Sequence, residues 1–440
     1  MFTSKELKKL IIPLIFEQLL ALSVGFVDTF MVSIAGEAAV SGVALVDNIS
    51  NLLIQILSAL ATGGAVVCSQ YLGSRNINMS KKSAGQLIFI MSTSSLLMVI
   101  SLIGNHGIIN FIFGKIEKDV FESASIYFYI TAISYPFLGV YNAGAALFRS
   151  IGNSKISMNT SLIMNIINIC GNALFIFVFD MGVAGVAWAT FLCQGVSCVL
   201  SLWVVARRVR AVPSEGERVW FSWKMLGQIA VVAIPSILQQ SFVSVGNIII
   251  QSVVNSFGAS VIAGFAAATK LNNVLISSLT TLGSGISNYA SQNLGAGKNE
   301  RVRAGFGAGA KLLGSICLCF TALYLLAGRQ LLMLFMNSPT GEAINTGLTF
   351  LQTIAPFYLL LAFKLTSDGL MRGCGMMGRF MATTLSDLFL RVVLAILFSS
   401  WLGVNGIWLS WPVGWFVGTV LSMVFYRTSI YRQAEEKTTL

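Results

Sequence analysis

Twelve apolar stretches recur along this 440-residue chain, each long enough to cross the hydrocarbon layer of a membrane. A membrane-spanning helix needs about 20 such residues. Of the residues, 55% are hydrophobic and 10% are charged, whereas about a quarter are charged in ordinary soluble domains. The sequence therefore predicts an all-α integral membrane protein. Its predicted spans are 10–34, 46–73, 84–105, 122–148, 156–179, 184–206, 226–255, 260–293, 305–327, 343–371, 379–400 and 404–426.

Basic residues are distributed unevenly among the connecting segments. With the amino terminus placed in the cytoplasm, 21 of the 28 Lys and Arg residues fall in inner segments and three in outer loops. Those three are Lys115, Lys118 and Arg329. The other four lie within spans, at Lys270, Lys311, Lys364 and Arg391. Because positive residues collect on the cytoplasmic side, we expect a multi-pass plasma-membrane protein with both termini cytoplasmic. The net charge of +11 then reflects orientation and not a nucleic-acid partner.

The chain repeats itself without a gap at a shift of 222 positions, from the first predicted span to the third. The first members of the identical pairs are Ile12, Pro13, Ile15, Gln18, Gly36, Gly42, Asn51, Gly63, Ser69, Gln70, Leu72 and Gly73. Farther along, Pro136 resembles Pro356 and Arg149 resembles Arg372 after a change of register. Each half of the chain is therefore predicted to contain six helices.

An even number of helices begins both halves on the same side of the membrane. The two lobes are then parallel repeats related by a pseudo-two-fold axis along the membrane normal. We expect an amino-terminal lobe at 1–206, a cytoplasmic linker at 207–224, and a carboxyl-terminal lobe at 225–440 with a short cytoplasmic tail.

The histidine and cysteine content does not favour a metal site or an enzyme. The one histidine, His106, directly follows the predicted span 84–105, where we expect a helix end, and the seven cysteines lack metal-ligand spacing. We therefore expect no structural metal, no organic cofactor and no catalytic activity. An intramembrane enzyme would need a nucleophile with its base, or a metal cluster.

Asp28 is the acidic residue of greatest functional interest, about six residues inside the outer end of the first span. A carboxylate there costs about 3 kcal/mol on insertion scales, so it needs a counter-cation, a proton or a polar cavity. A purely structural acid, satisfied by neighbouring donors, is the alternative interpretation.

Three asparagines, Asn165, Asn168 and Asn172, recur at spacings of three and four on one helical face. Asn172 and Thr190 are each nine residues from Met181, so they reach the same depth if the chain turns around Gly182 and Gly185. With Asp28 they lie roughly 10 Å below the outer boundary. Carboxylate, amide and hydroxyl oxygens suit a hard cation such as Na⁺. Interhelical hydrogen bonding is the structural alternative for the asparagines.

Several short motifs in this order resemble the multidrug and toxic compound extrusion (MATE) family over essentially the whole chain. The motifs are Phe26-Val27-Asp28-Thr29, Gln70-Tyr71-Leu72-Gly73, Arg149 with Gly152 and Lys155, the set Asn165, Asn168, Ile169 and Asn172, and Gly182-Val183-Ala184-Gly185. The resemblance implies a secondary transporter that exchanges Na⁺ or H⁺ for small, cationic, amphipathic molecules from the cytoplasm by alternating access. It also implies a monomer in the bilayer.

The family's amino-lobe cation site transfers, by resemblance, onto Asp28, Asn168, Asn172 and Thr190. Tyr127 and Asn142 transfer as nearby cavity residues. Several family members have an acid where this chain has Asn172, which leaves Asp28 as the expected charge carrier.

The second half lacks this constellation, because Ile250 occupies the position equivalent to Asp28 and Arg391 falls near that of Asn168. Lys364 and Asp368 lie four residues apart on one helical face. They form either a salt bridge that offsets burial or a pair that contacts substrate. Gln18 and its repeat equivalent Gln240 complete the predicted substrate-cavity residues.

A second function remains open in the sequence, namely a flippase for lipid-linked oligosaccharides from the same wider superfamily. Such a protein would favour cationic side chains along its cavity, for which Lys270, Lys364 and Arg391 are candidates.

Overall fold

A computed structural model describes residues 12–17, 20, 27, 31–32, 36–113, 117–211, 221–333 and 341–436. Residues 12–17 are helical. The helices that follow are α1 (Glu37–Gly73), α2 (Ile77–Ser92), α3 (Ser95–Phe113), α4 (Lys118–Ile133), α5 (Tyr135–Ser150), α6 (Ser154–Ala173), α7 (Gly182–Ala211), α8 (Trp223–Asn255), α9 (Ala259–Gly295), α10 (Asn299–Met333), α11 (Gly341–Ile354), α12 (Tyr358–Gly373), α13 (Met377–Leu402) and α14 (Val404–Glu436).

The described residues contain ten helical segments that are long and apolar enough to cross a membrane. The pair α4 and α5, bent by 51° between them, adds an eleventh span. The remaining predicted span, 10–34, falls largely outside the described residues. The all-α membrane fold predicted from the apolar stretches is confirmed.

The backbone contains the same 222-residue repeat that the sequence predicts. Helices α1 and α9 are each 37 residues long, and both their first and last residues are 222 positions apart. Each is preceded by a glycine in a conformation that favours glycine, Gly36 at φ 104° and Gly258 at φ 98°. Shortly after each helix the backbone adopts positive φ again, at Arg75 and at Gly297. The duplication therefore preserves helix length and both terminal turns.

Equivalent glycines also allow equivalent helix contacts in the two halves. A Cβ atom at Gly42 of α1 would lie 2.7 Å from the backbone nitrogen of Ala124 on α4. A Cβ atom at Gly264 of α9 would collide with the carbonyl oxygen of Ala343 on α11. Both glycines are therefore required for close packing against the helix pair that contains the break.

The breaks themselves follow the predicted proline correspondence. Pro136 lies at the start of α5, directly after the bend at Ser134. Its counterpart Pro356 lies in a 3₁₀ turn, Ala355–Phe357, between α11 and α12. Proline lacks the N–H that would continue the helical hydrogen bonds, so each half interrupts its helix at the same place.

Contacts within the chain divide it into two compact units, which meet in sequence between Ala233 and Ile234. The first eleven residues of α8 pack within the amino-terminal unit. Tyr71 donates a hydrogen bond of 2.8 Å to Oε1 of Gln228, and Val67 packs in a buried apolar cluster with residues 225, 229 and 233.

Several helices begin earlier than their apolar stretches. The largest difference is in α1, which begins at Glu37 whereas the predicted span began at 46. Polar residues of the first turns are helical too, and hydropathy alone cannot separate them from a loop. As a consequence Asp47 lies well inside a helix and not at its edge.

Candidate functional site

The predicted asparagine cluster is present on α6. Asn168 is 7% exposed and Asn172 is fully buried. The side-chain amide of Asn172 lies 3.4 Å from Oδ1 of Asn168, in donor geometry. One turn of helix separates the two residues, so their amides lie on one face as the spacing predicted.

Helix α7 supplies the other side of this cluster. The Asn168 amide donates to Sγ of Cys193 at 3.8 Å, a contact that sequence reasoning missed. A Cβ atom at Gly171 would lie 3.0 Å from Cβ of Ala189, so α6 and α7 are in contact beside Asn172 and Thr190. Thr190 is half-buried, and its hydroxyl donates to the carbonyl of Val186 on its own helix at 3.1 Å.

The chain directly after Asn172 departs from α-helical geometry. Residues Leu174–Val178 form a π-helical turn, a feature that often occurs at functional sites. The following turn has positive φ at Asp180 and at Gly182. At Gly185 a Cβ atom would lie 2.9 Å from Cβ of Phe175. The predicted turn around Gly182 and Gly185 is therefore confirmed, while the π turn was not foreseen.

Two predicted site residues, Asp28 and Gln18, lie outside the described residues. The neighbouring acid Glu17 is described. Both of its carboxylate oxygens accept from the hydroxyl of Ser157, at 3.3 and 3.1 Å, and Arg149 lies within electrostatic reach. Glu17 thus has a hydrogen-bond donor and a positive charge to balance it.

Tyr127, a predicted cavity residue, is 6% exposed and donates a hydrogen bond of 3.3 Å to Oδ1 of Asp47. Asp47 is a membrane-embedded carboxylate that sequence reasoning overlooked, because it falls at the edge of the predicted span. Asn142 is half-buried, and its side-chain amide donates to the carbonyl of Leu138 at 2.9 Å.

In the carboxyl-terminal unit Lys364 and Asp368 form the predicted pair. Nζ of Lys364 lies 2.8 Å from Oδ2 of Asp368, and each side chain is 4% exposed. Asp368 also accepts from Thr383 at 3.1 Å and from Ser422 at 2.7 Å. The pair is therefore buried and well supplied with hydrogen bonds.

Asp387 and Arg391 enlarge this pair into a buried charge cluster. Nζ of Lys364 lies 3.8 Å from Oδ2 of Asp387. Asp387 and Arg391 interact electrostatically, and the guanidinium of Arg391 lies 4.5 Å from the centre of the Trp411 ring. Arg372, one turn after Asp368 on α12, also interacts electrostatically with it, so the two acids are balanced by the bases around them. The spacing of four residues between Asp387 and Arg391 was a signal that could have identified this second pair.

One face of α14 covers the charge cluster. A Cβ atom at Gly414 would lie 2.7 Å from Oδ1 of Asp387, and one at Gly418 would lie 2.8 Å from Cε of Lys364. Ser422, one turn farther, donates to Asp368. Larger residues at the two glycines would displace the charged groups.

The remaining predicted positions of the second half differ from their amino-terminal equivalents. Ile250 is 1% exposed. Gln240 is half-buried and has interaction partners. Among the described residues no group of three or more His, Cys, Asp and Glu side chains could hold a metal ion.

A family model described as MatE matches residues 13–174 and 235–397 of this chain. The two matched segments begin 222 positions apart, in agreement with the internal repeat. Together they cover well over half of the chain, so this chain has the family's sequence pattern in both halves.

Individual relatives extend over nearly the full length. The "Probable multidrug resistance protein YpnP" of Bacillus subtilis is 27% identical over 432 residues, covering 96% of this chain and 94% of that protein. A multidrug resistance MATE transporter of the MOP superfamily, solved in an outward-facing conformation, has a TM-score of 0.90 at 20% identity, covering 98% of this chain and 96% of that one. A MOP-superfamily transporter from Pyrococcus furiosus has a TM-score of 0.89 at 19% identity, covering 97% and 96%.

The matched halves, the two-lobe helical fold and the full-length similarity to multidrug resistance proteins all agree with the sequence resemblance. The chain therefore belongs to the MATE family of multidrug efflux transporters, and it is a multi-pass membrane transporter and not an enzyme.

Proposed function

We propose that this protein is an antiporter that exports organic cations from the cytoplasm by alternating access, driven by entry of Na⁺ or H⁺. The observation that supports it best is the buried amide pair Asn168 and Asn172, which lies within a candidate membrane span and contacts α7 through Cys193. Buried polar groups in such helices are costly and are commonly functional.

The proposed coupling site combines these amides with Asp28 and Thr190. The carboxylate of Asp28 would balance the charge of the incoming ion, and the amide and hydroxyl oxygens would replace part of the hydration shell of Na⁺. If the ion is a proton, Asp28 would bind it and the amides would orient the acid. The π turn after Asn172 gives this helix an irregular backbone next to the site.

Coupling is proposed to be asymmetric between the halves. Ile250 has no charge to offer at the position equivalent to Asp28. The two acids of the buried cluster, Asp368 and Asp387, are already balanced by bases of the same unit. We therefore assign ion coupling to the amino-terminal unit and not to the second half.

The test is ethidium efflux from vesicles of the reconstituted protein under separately imposed Na⁺ and H⁺ gradients. We expect one inward gradient to drive export and its dissipation to stop it. Asn172→Ala should abolish the response, whereas Asn159→Ala, an exposed position on the same helix, should leave it intact. Export at the same rate with and without either gradient would disprove the coupling. So would an Asn172→Ala variant that responds to the gradient as the wild type does.

A flippase for lipid-linked oligosaccharides is the second candidate, and exposed Lys270 on α9 favours it. The other two cationic candidates support it less, because Lys364 is paired with Asp368 and Arg391 lies beside Asp387 and Trp411. Gradient-independent transfer of a lipid-linked oligosaccharide across vesicles would favour this candidate over the antiporter.

A further inference from the structure

Helix α1 presents a polar stripe along one face of a membrane-spanning segment. Its members are Asp47, Asn51, Gln55, Ser58 and Thr62. At 100° per residue they fall within about 80° of arc. Asn51 is exposed, and Asp47 and Ser58 are half-buried. A lipid-facing surface would be apolar, so this face is directed toward protein and water.

Asp47 is the charged member of the stripe. It lies about 15 Å along the axis from the start of α1, within the candidate span that begins at Ala38. Tyr127 donates to its Oδ1 at 3.3 Å, and Tyr135 lies within electrostatic reach. One acidic group and two phenol rings thus come together in the amino-terminal unit.

The charge of Asp47 is not balanced by a base among the described residues. Their three salt bridges involve Glu122, Asp368 and Asp387 as the acids. Glu17, another described acid of the amino-terminal unit, has Arg149 within electrostatic reach. An unbalanced carboxylate in a span is costly, and a cation that binds beside it would recover much of that cost.

The second half retains the stripe without the charge. The equivalent positions on α9 are Thr269, Asn273, Ser277, Thr280 and Ser284. Thr269 replaces Asp47, so the polar face is common to both halves while the acid belongs to the first. The acid is therefore not needed to build this helix face.

We propose that Asp47, held by Tyr127, binds the positively charged group of the transported molecule. The choice of substrate rests on the proposed function. It is a hydrophobic organic cation such as a quaternary ammonium or phosphonium compound. One carboxylate with one hydroxyl offers few ligands for a bare metal ion, which collects several oxygens. Aromatic side chains beside a carboxylate match a bulky cation, because a ring face attracts positive charge.

Binding to the purified full-length protein tests the site without any gradient. The probes are tetraphenylphosphonium and, as a neutral comparison, chloramphenicol. Asp47→Asn should raise the Kd for tetraphenylphosphonium about tenfold, through loss of one charge-assisted contact, and leave chloramphenicol binding unchanged. Asp47→Glu should restore most of the affinity. Glu122→Gln, which removes an exposed acid from the same unit, should have no effect.

Tyr127→Phe provides a second variant in case Asp47→Asn does not fold. It keeps the carboxylate and removes its hydrogen-bond donor, so it should weaken phosphonium binding by about threefold. Wild-type affinity in folded Asp47→Asn, or equal loss for both probes, would overturn the assignment. Wild-type protein that fails to bind tetraphenylphosphonium would also overturn it. Protein that binds the cation through Asp47 but does not exchange it for Na⁺ or H⁺ would refute the coupled antiport alone.

Discussion

The ammonium group of Lys364 lies 3.8 Å from the carboxylate of Asp387, on a different helix from the Asp368 partner that it contacts at 2.8 Å. Lys364 therefore belongs to a triad that joins α12 to α13. A buried charge that loses its only partner is expensive, whereas one that retains a second partner is less so. This difference allows the two carboxylates to be distinguished by mutation.

Lys364→Ala should destabilise the protein more than Asp368→Ala. The first change leaves two buried carboxylates without their ammonium, at a cost of about 3 to 5 kcal/mol. The second leaves Lys364 beside Asp387. The double variant should lose less than the sum of the single losses, because it removes both charges together. Melting temperatures of the purified variants test this, with Lys311→Ala, an exposed lysine in a span, as control.

The same variants test substrate contact. If the triad faces the substrate, folded Lys364→Ala should prefer cationic over neutral compounds more strongly than the wild type, because Asp368 and Asp387 then lack the ammonium group of Lys364. A purely structural triad predicts lower stability with unchanged preference. Additive losses in the double variant would show that Lys364 and Asp368 do not interact.

Asp28→Asn should stop gradient-driven efflux and leave expression intact. The amide has nearly the same shape as the carboxylate, but it can neither bind a proton nor balance a cation. Ethidium efflux in reconstituted vesicles measures the change. Asp119→Asn, at an exposed acid in the first turn of α4, is the matched control. Normal export by Asp28→Asn would rule this residue out as the charge carrier.

Membrane orientation can be tested with single cysteines in a cysteine-free background. A cysteine at Ser214 should react with impermeant maleimide from the cytoplasmic side, and one at Glu342 from outside. Both expectations follow from the 21-to-3 distribution of basic residues between inner segments and outer loops. The reverse labelling pattern would contradict the proposed topology.

Gly42→Ala and Gly264→Ala should each destabilise their own half, by about 1 to 3 kcal/mol, because each new methyl group overpacks a helix contact. Gly227→Ala on α8 is the control. Nothing lies within 4 Å of a Cβ atom there, so it should be neutral or slightly stabilising. The melting temperatures of the purified variants test this prediction. Equal values for all three variants would mean that the close helix contacts at Gly42 and Gly264 do not constrain packing.

Periodic and repeated features were predictable from the sequence. Long apolar stretches determine helices in lipid, because every backbone polar group must be satisfied within the segment. The asparagine spacing placed Asn168 and Asn172 on one face. Asp47 was missed for the complementary reason, since hydropathy began the predicted span at residue 46 and so placed Asp47 at its edge.

Contacts between helices were less accessible to sequence reasoning. Lys364 and Asp368 are four residues apart and therefore visible as a pair, but their link to Asp387 depends on how α12 packs against α13 and α14. The contact between Cys193 and Asn168 likewise depends on how α7 packs against α6. Thr190 follows Ala189, which contacts Gly171 of α6, yet its hydroxyl bonds to the backbone of its own helix, a competition that a residue type alone does not reveal.

Helices α1 and α9 have equal lengths, so the role of a residue can be tested by moving it from one half of the chain to the other. Because 37 residues and the same glycine entry were retained in both copies, segments can be exchanged between residues 37–73 and 259–295 without changing the length of the chain. A chimaera that places the Asp47 face in the second half would show whether position or residue type determines the use of a charge. The two copies already differ in this way, because the first has Asp47 where the second has Thr269, on helices of equal length.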